Sequence, residues 1–422
     1  MKSIRGNILV AQSGGPTSAI NSTAYGIINE FLSIESNYKV YAGIYGIQGI
    51  LEKHIIDINT LDKETIEALK YMPSAAFGSC RYKLKNFEDD EKDYEKLIDT
   101  FKEFNIRYFF YIGGNDSMDA AYKLSEYVKK VGYDINIIGV PKTIDNDLVE
   151  TDHCPGFGSA AKYVCNIGLE MWIDINTYKK ESIMVMEVMG RDAGWIAAST
   201  GILKKAVPEI NQLIYLPEIN FNKIKFLEDV KKALEINNKL LIVISEGLKD
   251  ENRKYINVSE NCYEVDAFGH KQLGGIGKYL QQQIRENITS NVKLTEVGII
   301  QRCAMHCASK TDIEEAEMVG RNSLRYALEG YSGYMTALER ITKEKYYCKT
   351  KLVSLKEVCN KVKNVPLNWI NEQQNNVKDI MIDYVQPLIL GEINPFNKNG
   401  LINYTNINLY RKISNLIRFL NF

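Results

Sequence analysis

The chain has 422 residues, of which 45% are hydrophobic and 25% charged; this ordinary globular balance excludes a disordered or fibrous protein. Lys+Arg total 52 and Asp+Glu 53, a net charge of -1, so no global field calls for nucleic acid or an acidic membrane as partner. No run approaches the roughly 20 apolar residues of a membrane span, and eight scattered cysteines in so long a chain read as reduced thiols of a cytoplasmic protein.

The opening MKSIRGNILVAQSGG predicts a buried strand at Ile8–Ala11 running into a Gly-rich turn, not a signal peptide. A helix is expected from about Ser18, with Ile20, Ala24, Ile27, Ile28 and Phe31 on one face and Thr17 or Ser18 as cap. A second helix is predicted around 91–104 and a strand at Arg107–Ile112 (RYFFYI). GGNDSM then starts a further helix, and the strand Ile135–Val140 ends in PKTIDND. Further strands are expected at 182–189, 212–216, 240–245 and 294–300, with helices near 157–175, 193–203, 222–236, 270–286 and 311–328. From about 345 the chain turns Asn- and Lys-rich, and 345–422 reads as a partly helical extension wrapped on the core. Continuous apolar strands, each followed by a helix, indicate parallel sheets covered on both faces, the doubly wound α/β class. Ligands of that class sit at the carboxyl ends of strands, so the loops there are the place to look for chemistry.

Five loops qualify. Gly14-Gly15-Pro16-Thr17 allows close backbone approach and offers the free N–H groups of a helix start, which suit an anion, although a plain tight turn looks the same. Gly113-Gly114-Asn115-Asp116-Ser117 adds polar side chains and a hydroxyl, a cradle for phosphate and metal. In Pro141-Lys142-Thr143-Ile144-Asp145-Asn146-Asp147, residues i and i+2 of an extended segment share a side, so Asp145 and Asp147 converge, while Lys142 supplies a compact charge for phosphate. Met189-Gly190-Arg191-Asp192 sets an arginine at a Gly-flanked strand end, and Gln301-Arg302 ends another predicted strand. Cys303, His306 and Cys307 lack the spacing and the second ligand pair of a structural zinc site.

In this order the five loops resemble the 6-phosphofructokinase family over roughly residues 5–340. Members that use ATP resemble GGDGS at the second loop and PGTIDND at the third. Here Asp116 and Lys142 stand in place of the two glycines. Both fill space where a nucleotide would pass, and Lys142 offers its ammonium to a terminal phosphate, so a compact diphosphate is favoured over a nucleotide. The stretches DAFGHKQLGGIGKYL at 266–280 and QRCAMHCASKTD also resemble the pyrophosphate-dependent branch.

The resemblance implies two Rossmann-like domains, 1–155 with part of 303–345 for the phosphoryl donor and 156–302 for the sugar phosphate, plus the extension 346–422. It implies Mg²⁺-dependent, reversible phosphoryl transfer from pyrophosphate to fructose 6-phosphate in a cytoplasmic homodimer or homotetramer. Asp145 would be the general base, for which a carboxylate of ordinary pKa suffices because the proton moves late. Asp147 would orient the site and the metal, and Thr143 would bond the transferred phosphoryl group. Gly14, Gly15, Arg81, Asp116, Ser117 and Lys142 would hold pyrophosphate and its Mg²⁺. Met189, Gly190, Arg191, Glu218, Lys293 and Arg302 would hold the sugar phosphate. Asn115 stands where an aspartate usually helps bind metal, and with Asp116 it is the expected metal ligand, although an amide is the weaker one; Ser182 and Lys293 stand where arginines reach a neighbour's site, and Ile299 where a histidine or tyrosine is found. The alternatives are an ATP-dependent enzyme, against which Asp116 and Lys142 argue, and a silent regulatory subunit, which would be expected to lose the base.

Overall fold

The computed structural model describes residues 5–256, 275–342, 345–394 and 397–402. Cys262 and most of the 266–280 motif lie outside them.

Alternation along the strands explains the layering. In β1 (Asn7–Gln12), Ile8 and Val10 join the helix Ile20–Leu32 on one side, while Leu9 and Ala11 join the helices Lys92–Glu103 and Asn115–Lys130 on the other. β2 (Val40–Gly43) and β3 (Ile55–Asp57) continue the sheet outward, and β4 (Ile106–Gly113) and β5 (Asn136–Pro141) continue it inward. Both β4 and β5 are buried nearly throughout, which is why they read as unbroken apolar runs.

A second unit follows. β6 (Ser182–Val188), β7 (Gln212–Tyr215), β8 (Lys239–Ser245) and β9 (Val292–Glu296) form an all-parallel sheet in the order β7-β8-β6-β9. The chain then returns through the helix Lys310–Glu329 to β10 (Tyr334–Thr342) and β11 (Tyr347–Ser354), completing the larger sheet in the order β11-β10-β5-β4-β1-β2-β3. Helices Ile20–Leu32 and Lys310–Glu329 cross at very close range. A Cβ on Gly26 would lie 2.2 Å from the Glu317 carbonyl oxygen, and one on Gly320 would lie 2.0 Å from that of Thr23.

Two expectations change. The strand placed at 294–300 stops at Glu296; Gly298, at φ +58, turns the chain into a short helical turn, Ile300–Cys303, which carries Arg302. The segment Tyr347–Ser354, assigned from sequence to the extension, is instead the antiparallel edge strand of the larger sheet. Among the described residues no helix is long and apolar enough to cross a membrane.

A buried polar knot pins these returning segments together. His153 sits between Asp152 (2.8 Å) and Glu315 (2.6 Å). Arg340 pairs with Asp152, and the Tyr384 hydroxyl donates to the Asp152 carbonyl. Burial alone would lower the imidazole pKa, but the two carboxylates outweigh it and raise the group to about 9. The fold thus favours the imidazolium. Its stabilisation is complete below the ordinary value of 6.5 and is lost as pH rises through about 9. The urea midpoint of the wild type is therefore expected to fall between pH 7 and 10. His153→Gln, which removes the cation shared by Asp152 and the buried Glu315, is expected to cost about 3 kcal/mol at pH 7 and to flatten that fall; equal pH slopes in the two proteins would contradict the assignment.

Candidate active site

The carboxyl ends of β1, β4, β5, β6 and β8 face one cleft of about 410 Å³ between the two sheets. Gly14, Gly15, Arg81, Asn115, Asp116, Ser117, Lys142, Thr143, Asp145, Asp147, Met189, Arg191 and Arg302 all line it. Residues up to 288 positions apart in the chain are thus gathered, most because they end a strand or sit in the turn after one on the same side, while Arg81 arrives from the loop before the helix Lys92–Glu103.

Each loop is shaped by its neighbours. Gly14, at φ +75, follows β1, and its N–H donates to the Cys80 carbonyl. A Cβ there would lie 3.3 Å from Lys142 Nζ, and one on Gly15 would lie 3.3 Å from an Arg302 guanidinium nitrogen. The glycines therefore keep open the space in front of two cations. Thr17 braces the start of the following helix, its hydroxyl accepting from the Ile20 N–H at 3.0 Å, while the cap position itself is Ala19. A Cβ on Gly113 would collide with the buried Ser117 side chain at 2.0 Å, so glycine is required where β4 turns into its helix.

The third loop converges its acids by a different route from the one expected. The segment is not extended: Asn146 takes φ +53, and this left-handed residue swings Asp145 and Asp147 into the same cleft wall. Asn146 is held from behind. Its amide donates to the Tyr384 hydroxyl at 2.9 Å, and its oxygen accepts from the Cys154 N–H and from Lys363 Nζ. Thr143 knits the loop, its hydroxyl accepting from the Asp145 N–H at 3.1 Å and bonding the Asp147 carboxylate. Asp147 Oδ1 is buried without a partner.

The charges in the cleft oppose one another strongly. Burial, then repulsion from Arg302 and Arg81, lowers the Lys142 ammonium to about 7 against the pull of Asp145 and Asp147. Lys142 Nζ donates to the Gly15 carbonyl at 2.7 Å. Burial, followed by the neighbouring Asp147 and Glu246 carboxylates, raises Asp145 well above the usual carboxylate range. An ordinary pKa would suffice for the base, but burial beside two further acids raises this one. Arg191 Nε is a second buried atom without a partner. A cleft with desolvated, mutually repelling cations suits a polyanion, which would relieve the repulsion on binding.

Several sequence-derived positions fall elsewhere. Glu218 is not in the cleft: its Oε1 accepts from the Gly194 and Val365 N–H groups, both at 2.9 Å, so it ties the start of a helix to the extension. Gly190 lies behind the lining, at φ +135, with its carbonyl accepting from Ser245. Lys293 is outside the cleft, paired with Asp174 at 3.1 Å over the Tyr178 ring. Asn115 lines the cleft, but its carboxamide is engaged by Asn360 and Lys361.

An acid that does line the cleft is Glu246, directly after β8 and not singled out from the sequence. Its signal was present, a polar residue directly after LLIVIS, the same feature that exposed the other loops. Lys83, Asp192, Asn360 and Val362 also line the cleft. The last two had no local signal, because they arrive from the extension.

A family model described as phosphofructokinase matches residues 7–323. The chain is 39% identical over 405 residues, 95% of itself and 96% of the relative, to a pyrophosphate--fructose 6-phosphate 1-phosphotransferase of Xanthomonas campestris pv. campestris. It is 40% identical to one of Halomonas elongata, covering 94% of each chain. A crystal structure of a pyrophosphate-dependent phosphofructokinase from Nitrosospira multiformis superimposes with a TM-score of 0.86 at 38% identity, over 95% of this chain and 96% of that one. With the family match covering most of the strands that build the cleft, and relatives aligned almost end to end, the chain belongs to the phosphofructokinase family.

Proposed function

We propose that the protein catalyses reversible transfer of a phosphoryl group from pyrophosphate to the 1-hydroxyl of fructose 6-phosphate, giving fructose 1,6-bisphosphate and phosphate. The observation that carries the donor is the joint presence of Asp116 and Lys142 in one cleft wall, with Lys142 buried against Gly15. Two side chains occupy the room an adenosine would need, and one of them offers a charge to a diphosphate. The name shared by the two relatives agrees with this reading.

In this mechanism the sugar's O1 attacks the nearer phosphorus, the bond from that phosphorus to the bridging oxygen breaks, and the O1 proton passes to Asp145. Arg81, Lys142 and the Gly14–Gly15 backbone hold the departing phosphate. Arg191, Arg302, Met189 and Glu246 place the sugar phosphate, with Arg191 Nε available to its phosphate. No covalent protein intermediate is needed, because alignment and charge dispersal supply the catalysis.

Mg²⁺ fits the donor set: Asp116 and Asp147 are hard oxygen ligands, and Asp147 Oδ1 is buried without a partner. These two residues would hold the ion, which when bound offsets the charge of the diphosphate. Asn115, expected from sequence to share in this, has both carboxamide atoms bonded to the extension.

We place the enzyme in the cytoplasm, consistent with the seven cysteines among the described residues all being free thiols. We also read it as a homodimer or homotetramer, consistent with Ile299 (63% exposed) and Ile300 (53% exposed) lying beside the turn that carries Arg302.

A coupled assay with fructose 6-phosphate, Mg²⁺ and either pyrophosphate or ATP tests the reading. Turnover is expected with pyrophosphate and at least about 100-fold less with ATP. Equal rates would refute the donor assignment.

A further inference from the structure

Residues 359–365 of the extension run as a strap along one side of the cleft, where Asn360 and Val362 line it. The Asn360 N–H donates to Asn115 Oδ1 at 2.6 Å, and Asn360 Nδ2 donates to Asp119 at 2.9 Å. The Asn115 amide nitrogen in turn donates to the Lys361 carbonyl. Further on, the Lys363 N–H donates to the Asp147 carbonyl at 2.7 Å, and the Lys363 carbonyl accepts from Trp195 Nε1 at 2.8 Å. The strap ends on Glu218, through the Val365 N–H. It therefore spans from the helix behind the donor loop to the smaller sheet's loops, and on the way Asn360 and Val362 become cleft wall beside Asp116.

The chemistry at position 115 explains why the residue there is an amide. One strap group facing it is a donor, the Asn360 N–H, and the next is an acceptor, the Lys361 carbonyl. A carboxamide answers both where a carboxylate cannot, and it does so in one orientation only, since the flipped amide would set N–H against N–H. An aspartate could accept from residue 360 but would press a negative oxygen against the 361 carbonyl, next to Asp116.

We propose that Asn115 is a positioning residue, a latch that holds strap 359–363 over the donor end of the cleft and so sizes that end for a diphosphate rather than a longer polyphosphate or nucleotide. The inference rests on the donor reading above and deepens it: obstruction comes from the returning extension as well as from Asp116 and Lys142.

Asn115→Asp, isosteric and charged, and Asn115→Ala test this in the full-length enzyme. Each is expected to speed hydrogen exchange of the 359–363 amides about tenfold, the effect of losing one or two hydrogen bonds. Inorganic tripolyphosphate should compete poorly with pyrophosphate in the wild type and is expected to inhibit the variants at about tenfold lower concentration. KM for pyrophosphate should rise while KM for fructose 6-phosphate and the half-saturating Mg²⁺ stay unchanged. Wild-type exchange of the strap in both variants would overturn the latch. So would unaltered tripolyphosphate inhibition over a loosened strap, or a Mg²⁺ requirement raised by alanine and restored by aspartate, the mark of a metal ligand. Failure of the pyrophosphate reading shows separately, as wild-type turnover with ATP and none with pyrophosphate.

Discussion

Asp145→Asn is expected to lower kcat about 1,000-fold, the usual scale of a lost general base, with KM for both substrates changed little. The residue reaches the cleft from a loop held by Asn146, Tyr384 and Lys363, and none of those bonds uses the Asp145 carboxylate. The fold should therefore survive the exchange, and removing one of three mutually repelling acids should if anything raise the thermal midpoint. Burial and the Asp147 and Glu246 charges hold the carboxyl protonated further up the pH scale than an ordinary aspartate. In the wild type, kcat/KM should accordingly climb with pH on an acid limb well above the usual carboxylate range, and the residual activity of the variant should lack that limb. Steady-state kinetics across pH 5–8 with both proteins reads all of this. A variant keeping more than about a tenth of wild-type kcat would show that the proton goes elsewhere.

What the sequence disclosed and what it hid divide along a physical line. Strands buried nearly throughout, such as β4 and β8, announce themselves because most of their side chains must be apolar, and a polar residue straight after such a run is conspicuous. That is how Asp145, Arg191 and Lys142 were legible, and Glu246 lay open to the same reading. Glu218 misled for the same reason: it too follows an apolar strand, but the chain turns there so that its carboxylate meets the Gly194 and Val365 N–H groups instead of the cleft. Local pattern says that a polar group ends a strand, not which way the next two residues point. The left-handed Asn146 illustrates the limit, since the convergence of Asp145 and Asp147 was right while the extended geometry inferred for it was not. β11 and the strap were out of reach for a different cause. The partners of Asn360 and Lys363 lie 168 to 245 residues earlier, and no window of sequence holds both ends of such a bond. Asn115 was visible as a departure from the usual aspartate, but its meaning depended on a segment that arrives from the far end of the chain.

Lys142→Met should separate function from stability in opposite directions. The ammonium is 2% exposed, pressed by Arg302 and Arg81, and lowered to about 7 by burial and by those charges. In the unfolded chain the same group is protonated up to 10.5, so a folded-state pKa below that value destabilises the native protein at every pH under 10.5. Methionine keeps the stem and removes the buried charge, and the thermal midpoint at pH 7 is expected to rise. Use of pyrophosphate is expected to collapse. Deleting a desolvated cation that faces a phosphate costs about 3–4 kcal/mol, or a loss of several hundredfold in kcat/KM for the donor. KM for pyrophosphate carries a further signature. Above pH 7 the free wild-type enzyme sheds the Lys142 proton, and the diphosphate must restore it on binding. KM should then climb about tenfold per pH unit toward pH 9, whereas the methionine variant should show a flat, uniformly poor KM. Donor kinetics from pH 6 to 9 beside a thermal melt of each protein tests both halves. A variant that melts earlier and binds pyrophosphate with the wild-type pH slope would mean that this lysine is a structural charge, and that some other cation in the cleft selects the donor.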